Sequence, residues 1–261
     1  MPRRRTSPPR QPAPARAHVV GAGLAGLNAA VRLAQAGFRV EVSDQAAQGG
    51  GRCRSYFDRE LGLVIDNGNH LVLSGNPAVA DYLRATGASD RLAGPEVAAF
   101  PYVDLRDGAR WTLRPNDGPL GWWVTQPGRR IPGTRAGDYL PLLGLVAPPR
   151  DARVRDVIPT RGPVWERMLE NFFVAVLNTE AADGSAALAA AVVRETLLKG
   201  GAHYRPRVAE PTLAAAFVDP ALTWLASMGA RLRLGRRLRA LETEDGRVAR
   251  LRFGDETVEV A

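Results

Sequence analysis

Leu27, Ala30, Val31 and Leu33 or Ala34 recur at the spacing of one helical face. A short apolar strand beginning at His18 precedes this stretch, Gly37 ends it, and Phe38 to Val42 reads as a second strand. The order strand, turn, helix, strand predicts a βαβ unit. Farther along, Val164 to Leu177, Ser185 to Lys199 and Pro211 to Met228 read as helices. The second of these has Lys199 near its end and Gly200-Gly201 as a stop. Ala109 to Leu113 reads as a short strand and Arg231 to Leu241 as an arginine-faced one. Arg247 to Phe253 and Thr257 to Val260 alternate around Gly254-Asp255, which predicts a hairpin.

The first turn carries candidate chemistry. Gly21, Gly23 and Gly26 form G-x-G-x-x-G between strand and helix, with Ala25 inside the turn. The first glycine permits the tight turn, the second lets a pyrophosphate approach the backbone, and the third lets helix and strand pack closely. Free N–H groups and the dipole at the helix start suit phosphate. Asp44 lies 18 residues beyond Gly26 at the end of the second strand, where a carboxylate can accept hydrogen bonds from a ribose. This pattern predicts a dinucleotide-binding fold.

A second glycine cluster follows in Gln48 to Ser55, QGGGRCRS, and then comes Asp66-Asn67-Gly68-Asn69-His70. Binding NAD does not require the second cluster. It resembles the G-G-R-x-x-S element of the flavin amine oxidase and carotenoid desaturase superfamily. GGGRCRSYFD, LGLVIDNGNHLVLSGN and FFVAVLNTEAADGSAAL narrow the resemblance, from about His18 to the C-terminus, to the hydroxysqualene dehydroxylases, FAD-dependent desaturase-like enzymes of bacterial hopanoid pathways. Asp44 stands where glutamate is usual in that family.

The resemblance implies an α/β fold, a Rossmann-like FAD-binding domain split in sequence around an inserted α+β substrate domain. It leaves 1–17 outside, read from composition as a disordered basic Pro/Arg tail, and implies the first part of the FAD domain at 18–66, the substrate domain at 67–205 and the returning part at 206–261. It assigns Gly21, Gly23, Ala25, Gly26, Asp44, Gly50, Gly51, Arg52, Gly68 and Leu238 to FAD. Leu238 would act through the backbone of its strand, beside the adenine. In the superfamily, a further strand, a substrate segment and a glycine-containing motif follow the last hairpin. The expectation is therefore an N-terminal part whose C-terminal part is missing, with a partner chain as one way to complete it. The implied reaction is reductive dehydroxylation of an apolar isoprenoid. His70 is the candidate acid for the departing hydroxide, or else a structural partner of the loop Asp66 to Asn69.

Composition adds boundaries. The formal net charge is +8, and Lys199 is the only lysine. Without the five arginines of the tail (Arg3, Arg4, Arg5, Arg10 and Arg16) the charge falls to +3. The tail also has five prolines and no apolar run, so it reads as PPII-like rather than as a secretory signal. It is either a solvated leader or a contact for anionic lipid. No nucleic-acid motif accompanies the charge. Cys53 is the only cysteine, which excludes disulfide scaffolding and fits a cytoplasmic setting. The three histidines show no metal-ligand spacing, so no metal is expected. Asp138 to Pro149 is the most apolar loop, either a patch that dips into a membrane surface or a core-facing segment. Trp122 and Trp123 read as pocket-lining or core.

Three readings of function remain at this stage. They are a hydroxysqualene dehydroxylase or its N-terminal part, a flavin amine oxidase or carotenoid-type desaturase on another substrate, and an inactive fragment or one subunit of a split flavoprotein.

Overall fold

The computed structural model describes residues 15–68 and 70–260. Most of the expected tail, residues 1–14, lies outside the described residues, as does Asn69. Arg16 and Ala17, expected in the tail, instead begin the first strand. The chain divides into two compact units. Among the described residues, one unit comprises 15–68, 79–92 and 209–260, and the other 70–78 and 93–208. The expected boundaries differ in three ways: 67–68 and 79–92 belong with the first unit, and the return falls at 209 rather than 206.

In the first unit, strand β1 (Arg16–Val20), helix α1 (Leu24–Gln35) and strand β2 (Arg39–Ser43) form the βαβ core. β1 and β2 pair in parallel, Arg16 opposite Arg39 through Val20 opposite Ser43. Arg231–Arg233 pairs in parallel with the other side of β2. Leu27, Ala30, Val31 and Ala34 of α1 are buried, as are Val40 and Val42 of β2, so one apolar stripe covers one sheet face. Helix Asp219–Ser227 also packs on α1. The final segment folds as a three-stranded antiparallel sheet of Ala240–Glu244, Arg247–Phe253 and Glu256–Glu259. The single strand expected over Arg231 to Leu241 is broken. Gly235, at φ +73°, turns the chain after Arg233, and strand resumes only at Ala240. Leu238 therefore lies outside any strand.

The second unit is irregular. Leu71–Leu73 pairs antiparallel with Pro206–Ala209, and Phe100–Val103 with Arg110–Leu113. Helices Glu170–Leu177 and Ala186–Glu195 contribute Phe173, Ala189 and Ala190 to a core shared with Ile131, Leu145 and Trp165. The Ser185 hydroxyl caps the second helix by accepting from the Leu188 amide. Trp123 is buried edge-on to Tyr139, while Trp122 is half exposed under Arg129. The apolar loop forms tight turns over Ala136–Leu145. Tyr139 and Leu145 face the core, while Leu140 and Leu143 are exposed, so the segment divides its faces between core and solvent.

A charged cluster supports the Phe100–Leu113 hairpin. Buried Asp104 accepts from Arg106 Nε at 3.0 Å and Nη2 at 2.8 Å, and Arg167 approaches the same carboxylate at 3.3 Å. Arg167 also lies over Trp111, which stacks on Tyr102. The Arg106 hydrogen bonds hold the Asp104 carboxyl down at about 2. A depressed pKa stabilises the fold above the ordinary carboxylate range, and that contribution fades as pH falls from about 4. Asp104→Asn is therefore expected to lower the thermal midpoint at pH 7. The gap to the wild type should narrow as pH drops from about 4 toward about 2, which melting curves across that range check.

Candidate cofactor site

The site is built where β1 ends. Gly21 has φ +107°, a left-handed conformation natural to glycine. Its amide donates to Ser43 O at 2.7 Å, tying the turn to β2. A Cβ on Gly26 would stand 1.8 Å from Gly21 O, so the close crossing of α1 over the turn requires glycine there. A Cβ on Gly23 would meet nothing within 4 Å. Gly23 leaves open space beside the backbone, as a ligand phosphate needs. It is the N-cap of α1, no side chain caps that helix start, and the first turn holds no acid. The orphan N–H groups there are suited to an anion.

The second glycine cluster lies directly on this turn. Gly50 N–H donates to Ala22 O at 2.7 Å, and Gly23 and Gly50 form a parallel bridge. Gly50 and Gly51 have φ +100° and +55°. A Cβ on Gly51 would come 3.4 Å from Gly23 Cα, and one on Gly50 would press on Val218 at 2.9 Å. Gly21, Gly23, Gly26, Gly50 and Gly51 are thus brought together as one backbone surface. Ala25, exposed, and Arg52, exposed at the tight turn Gly51–Cys53, flank it. The Arg52 guanidinium has no partner among the described residues, so it is available to an anion.

Asp44 closes the other end. Its carboxylate accepts from the Ala22 amide at 2.7 Å and the Ala46 amide at 2.8 Å. These bonds brace the glycine turn, a role that sequence spacing did not suggest. A carboxylate has about four acceptor positions, so capacity for ribose hydroxyls remains. The Asp44 backbone also bonds to Arg233 and Arg236, and Leu238 follows, half-buried.

Other motif residues act as scaffold. Asp66 Oδ1 accepts from Ser55 Oγ at 2.5 Å and from the Leu213 amide at 2.9 Å, and Ser55 Oγ accepts from the Ala214 amide at 2.9 Å. The pair fastens the start of the helical stretch that ends at Ser227 to the hairpin of Ser55–Asp58 and Leu63–Asp66. Asn67 bonds to the backbone of Arg52 and Arg54, which holds the segment carrying Gly68 beside the second glycine loop. Burial, and next the nearby Asp66 charge, push the Cys53 thiol up, so it stays protonated and unreactive near neutral pH. His70 is exposed and falls in the second unit. Val218 and Leu222, which back Gly49 and Gly50, were missed by sequence reasoning. Their only signal was the apolar character of the stretch Pro211 to Met228.

The family model for flavin-containing amine oxidoreductases matches residues 24–261. Hydroxysqualene dehydroxylases are similar over nearly the whole chain. That of Zymomonas mobilis is 46% identical over 93% of this chain and 59% of its own length. That of Rhodopseudomonas palustris is 48% identical over 92% of this chain and 58% of its own. The chain thus spans under two thirds of the curated relatives it matches. Among solved structures, an oxidoreductase from Methanosarcina mazei superposes with a TM-score of 0.70 at 19% identity, covering 93% of this chain and 56% of that one. A putrescine oxidase variant gives 0.61 at 17%, covering 93% and 55%. At these identities the structural likeness speaks for the fold alone. Among the described residues no helix is long and apolar enough to cross a membrane, and no group of three or more His, Cys, Asp or Glu could hold a metal ion.

Proposed function

Because this chain belongs to the flavin-containing amine oxidoreductase family, we propose that it holds FAD and contributes to reductive dehydroxylation of hydroxysqualene to squalene. The observation that carries the cofactor reading is the joining of two glycine loops into one surface, Gly50 N–H to Ala22 O at 2.7 Å. Gly21, Gly23, Ala25 and Gly26 would hold the pyrophosphate, Asp44 the ribose, and Gly50, Gly51, Arg52 and Gly68 would line the rest of the cofactor site. Leu238 would serve the adenine through its backbone. Two features of the chain support this fit: the open space at Gly23 and the unpartnered guanidinium of Arg52. Arginine suits phosphate because its fork donates twice and stays charged.

The substrate class rests on relatives 44–48% identical that are named hydroxysqualene dehydroxylase. Reduced FAD, when bound, supplies a hydride to carbon. The chain's own part is to hold the cofactor and exclude water. His70 is the candidate donor of the proton that departing hydroxide takes up, since an imidazole can act as general acid. The exposed Leu140 and Leu143 of the second unit support a peripheral contact with a bilayer that delivers an apolar substrate.

The test is the visible spectrum of the purified chain after incubation with FAD and desalting. The same preparation is measured with added polypeptide that matches the rest of a longer relative. A flavin band in either preparation supports the cofactor reading, and a colourless protein in both overturns it. Anaerobic assay of the flavin-bearing preparation, first reduced with dithionite for hydroxysqualene and left oxidised for putrescine, then tests the substrate. Squalene formation is expected, and amine turnover alone would overturn that part.

A further inference from the structure

The face of the parallel sheet turned away from α1 is strongly basic. Side chains alternate across a strand, so the register places Arg16 beside Arg39 in one row of this face, and His18, Glu41 and Arg231 in the next. Arg233 follows two residues beyond Arg231. Parallel sheets normally have both faces covered, and like charges directly opposite one another on a sheet destabilise it. Here Arg16, Arg39, Arg231 and Arg233 are all exposed and line a groove of about 530 Å³.

The acids in the groove offset these arginines only in part. Glu41 and Glu256 are both engaged by Arg236, at 2.7 Å each. Arg236 is 14% exposed and sits 3.9 Å over the Phe253 ring. It holds the two carboxylates together. Among the described residues, Arg16, Arg39, Arg231 and Arg233 make no ion pair and no side-chain hydrogen bond. With Arg236 counted, five guanidinium groups stand against two carboxylates, a net charge of +3, which favours a multiply charged anion, and the forked geometry of arginine suits phosphate oxygens.

We propose that this groove is a second anion site, taking a phosphate-bearing ligand with at least two negative charges. Arg16 and Arg39 begin their strands. Four residue steps at about 3.3 Å, or about 13 Å, separate them from the end where the glycine turn begins. Arg233, opposite Ser43 and bonded through its backbone to Asp44, lies at that near end, so the part of the groove set apart from the proposed FAD pyrophosphate site is the end formed by Arg16 and Arg39, with Arg231 between; the proposal does not rest on FAD binding. A free diphosphate and a lipid phosphomonoester headgroup share the chemistry the groove recognises.

The test is calorimetric titration with inorganic diphosphate, with and without excess FAD. Binding that FAD does not displace is expected. It should weaken at least tenfold in Arg39→Gln/Arg231→Gln and fall with added salt. Substituting Arg3, Arg4, Arg5 and Arg10 with Gln should change it less than twofold. Arg16→Gln alone, and a melting curve for each variant, guard against loss through misfolding. A parallel arm uses sedimentation with phosphatidylcholine vesicles with and without phosphatidic acid. Capture by phosphatidic acid that diphosphate reverses identifies a headgroup, and no capture identifies the free anion. Absence of diphosphate binding at millimolar concentration, binding equal in the folded double variant, or complete displacement by FAD would overturn the proposal.

Discussion

Gly23→Val is expected to abolish flavin retention and leave the fold intact. Gly23 has φ −74° and ψ 175°, an extended conformation open to any residue. Its missing Cβ would touch no protein atom within 4 Å. The folded chain therefore loses little, and the melting midpoint should move by less than about 3 °C, equivalent to about 1 kcal/mol at this size. The valine methyls would instead fill the space through which a pyrophosphate reaches the helix start. Lost phosphate contacts of about 3 kcal/mol correspond to at least about 100-fold weaker FAD binding. Fluorescence titration with FAD, beside a melting curve, reads both quantities. Undiminished FAD affinity in the folded variant would remove the glycine turn from the cofactor site.

Gly26→Ala should behave differently, although it adds one methyl three residues away. That methyl would stand 1.8 Å from Gly21 O, 2.9 Å from Gly21 C and 3.4 Å from a Val19 methyl. The first two are backbone atoms, and the Gly21 amide is bonded to Ser43 O, so neither can swing aside as a side chain would. Relief requires lifting α1 from β1, which disturbs the packing of Leu27 and Val31. Overpacking of this kind costs about 3 kcal/mol, or a fall of about 6–12 °C in the midpoint. Flavin retention should fall with it. A melting midpoint within about 2 °C of the wild type would show that α1 can shift at little cost. The pair of variants separates a glycine kept free for a ligand from one kept for the crossing of helix and strand.

The sequence made the βαβ core legible because local patterns carry it. The helical stripe from Leu27 to Ala34, the stop at Gly37 and the alternating positions of β2 are short-range signals, and the structure follows them within two residues. The same applies to the final hairpin around Gly254-Asp255. Longer readings failed where a single residue interrupts the pattern. Arg231 to Leu241 alternates like one strand, yet the turn at Gly235 breaks it, so Leu238 is left outside the sheet. The boundary at 67 also failed to divide the units, because 79–92 returns to the first one. There Tyr82 donates to Phe217 O across 135 residues, a contact that no local pattern records.

By itself the sequence determined which backbone positions needed glycine, and that a carboxylate would follow β2. Those requirements are local: a left-handed φ at Gly21, and a helix start immediately after the turn. Only the tertiary structure decided that the second glycine loop lies on the first, because Gly50 meets Ala22 through a hydrogen bond between segments separated in sequence. It also decided that Asp44 braces the turn, that Asp66 and Ser55 anchor a distant helix start, and that Arg236 takes both acids of the basic groove. Each depends on partners brought together by packing, and hydrogen bonds and ion pairs act only over a few ångströms. Spacing along the chain specifies the residues available for such contacts, and the fold selects which of them meet.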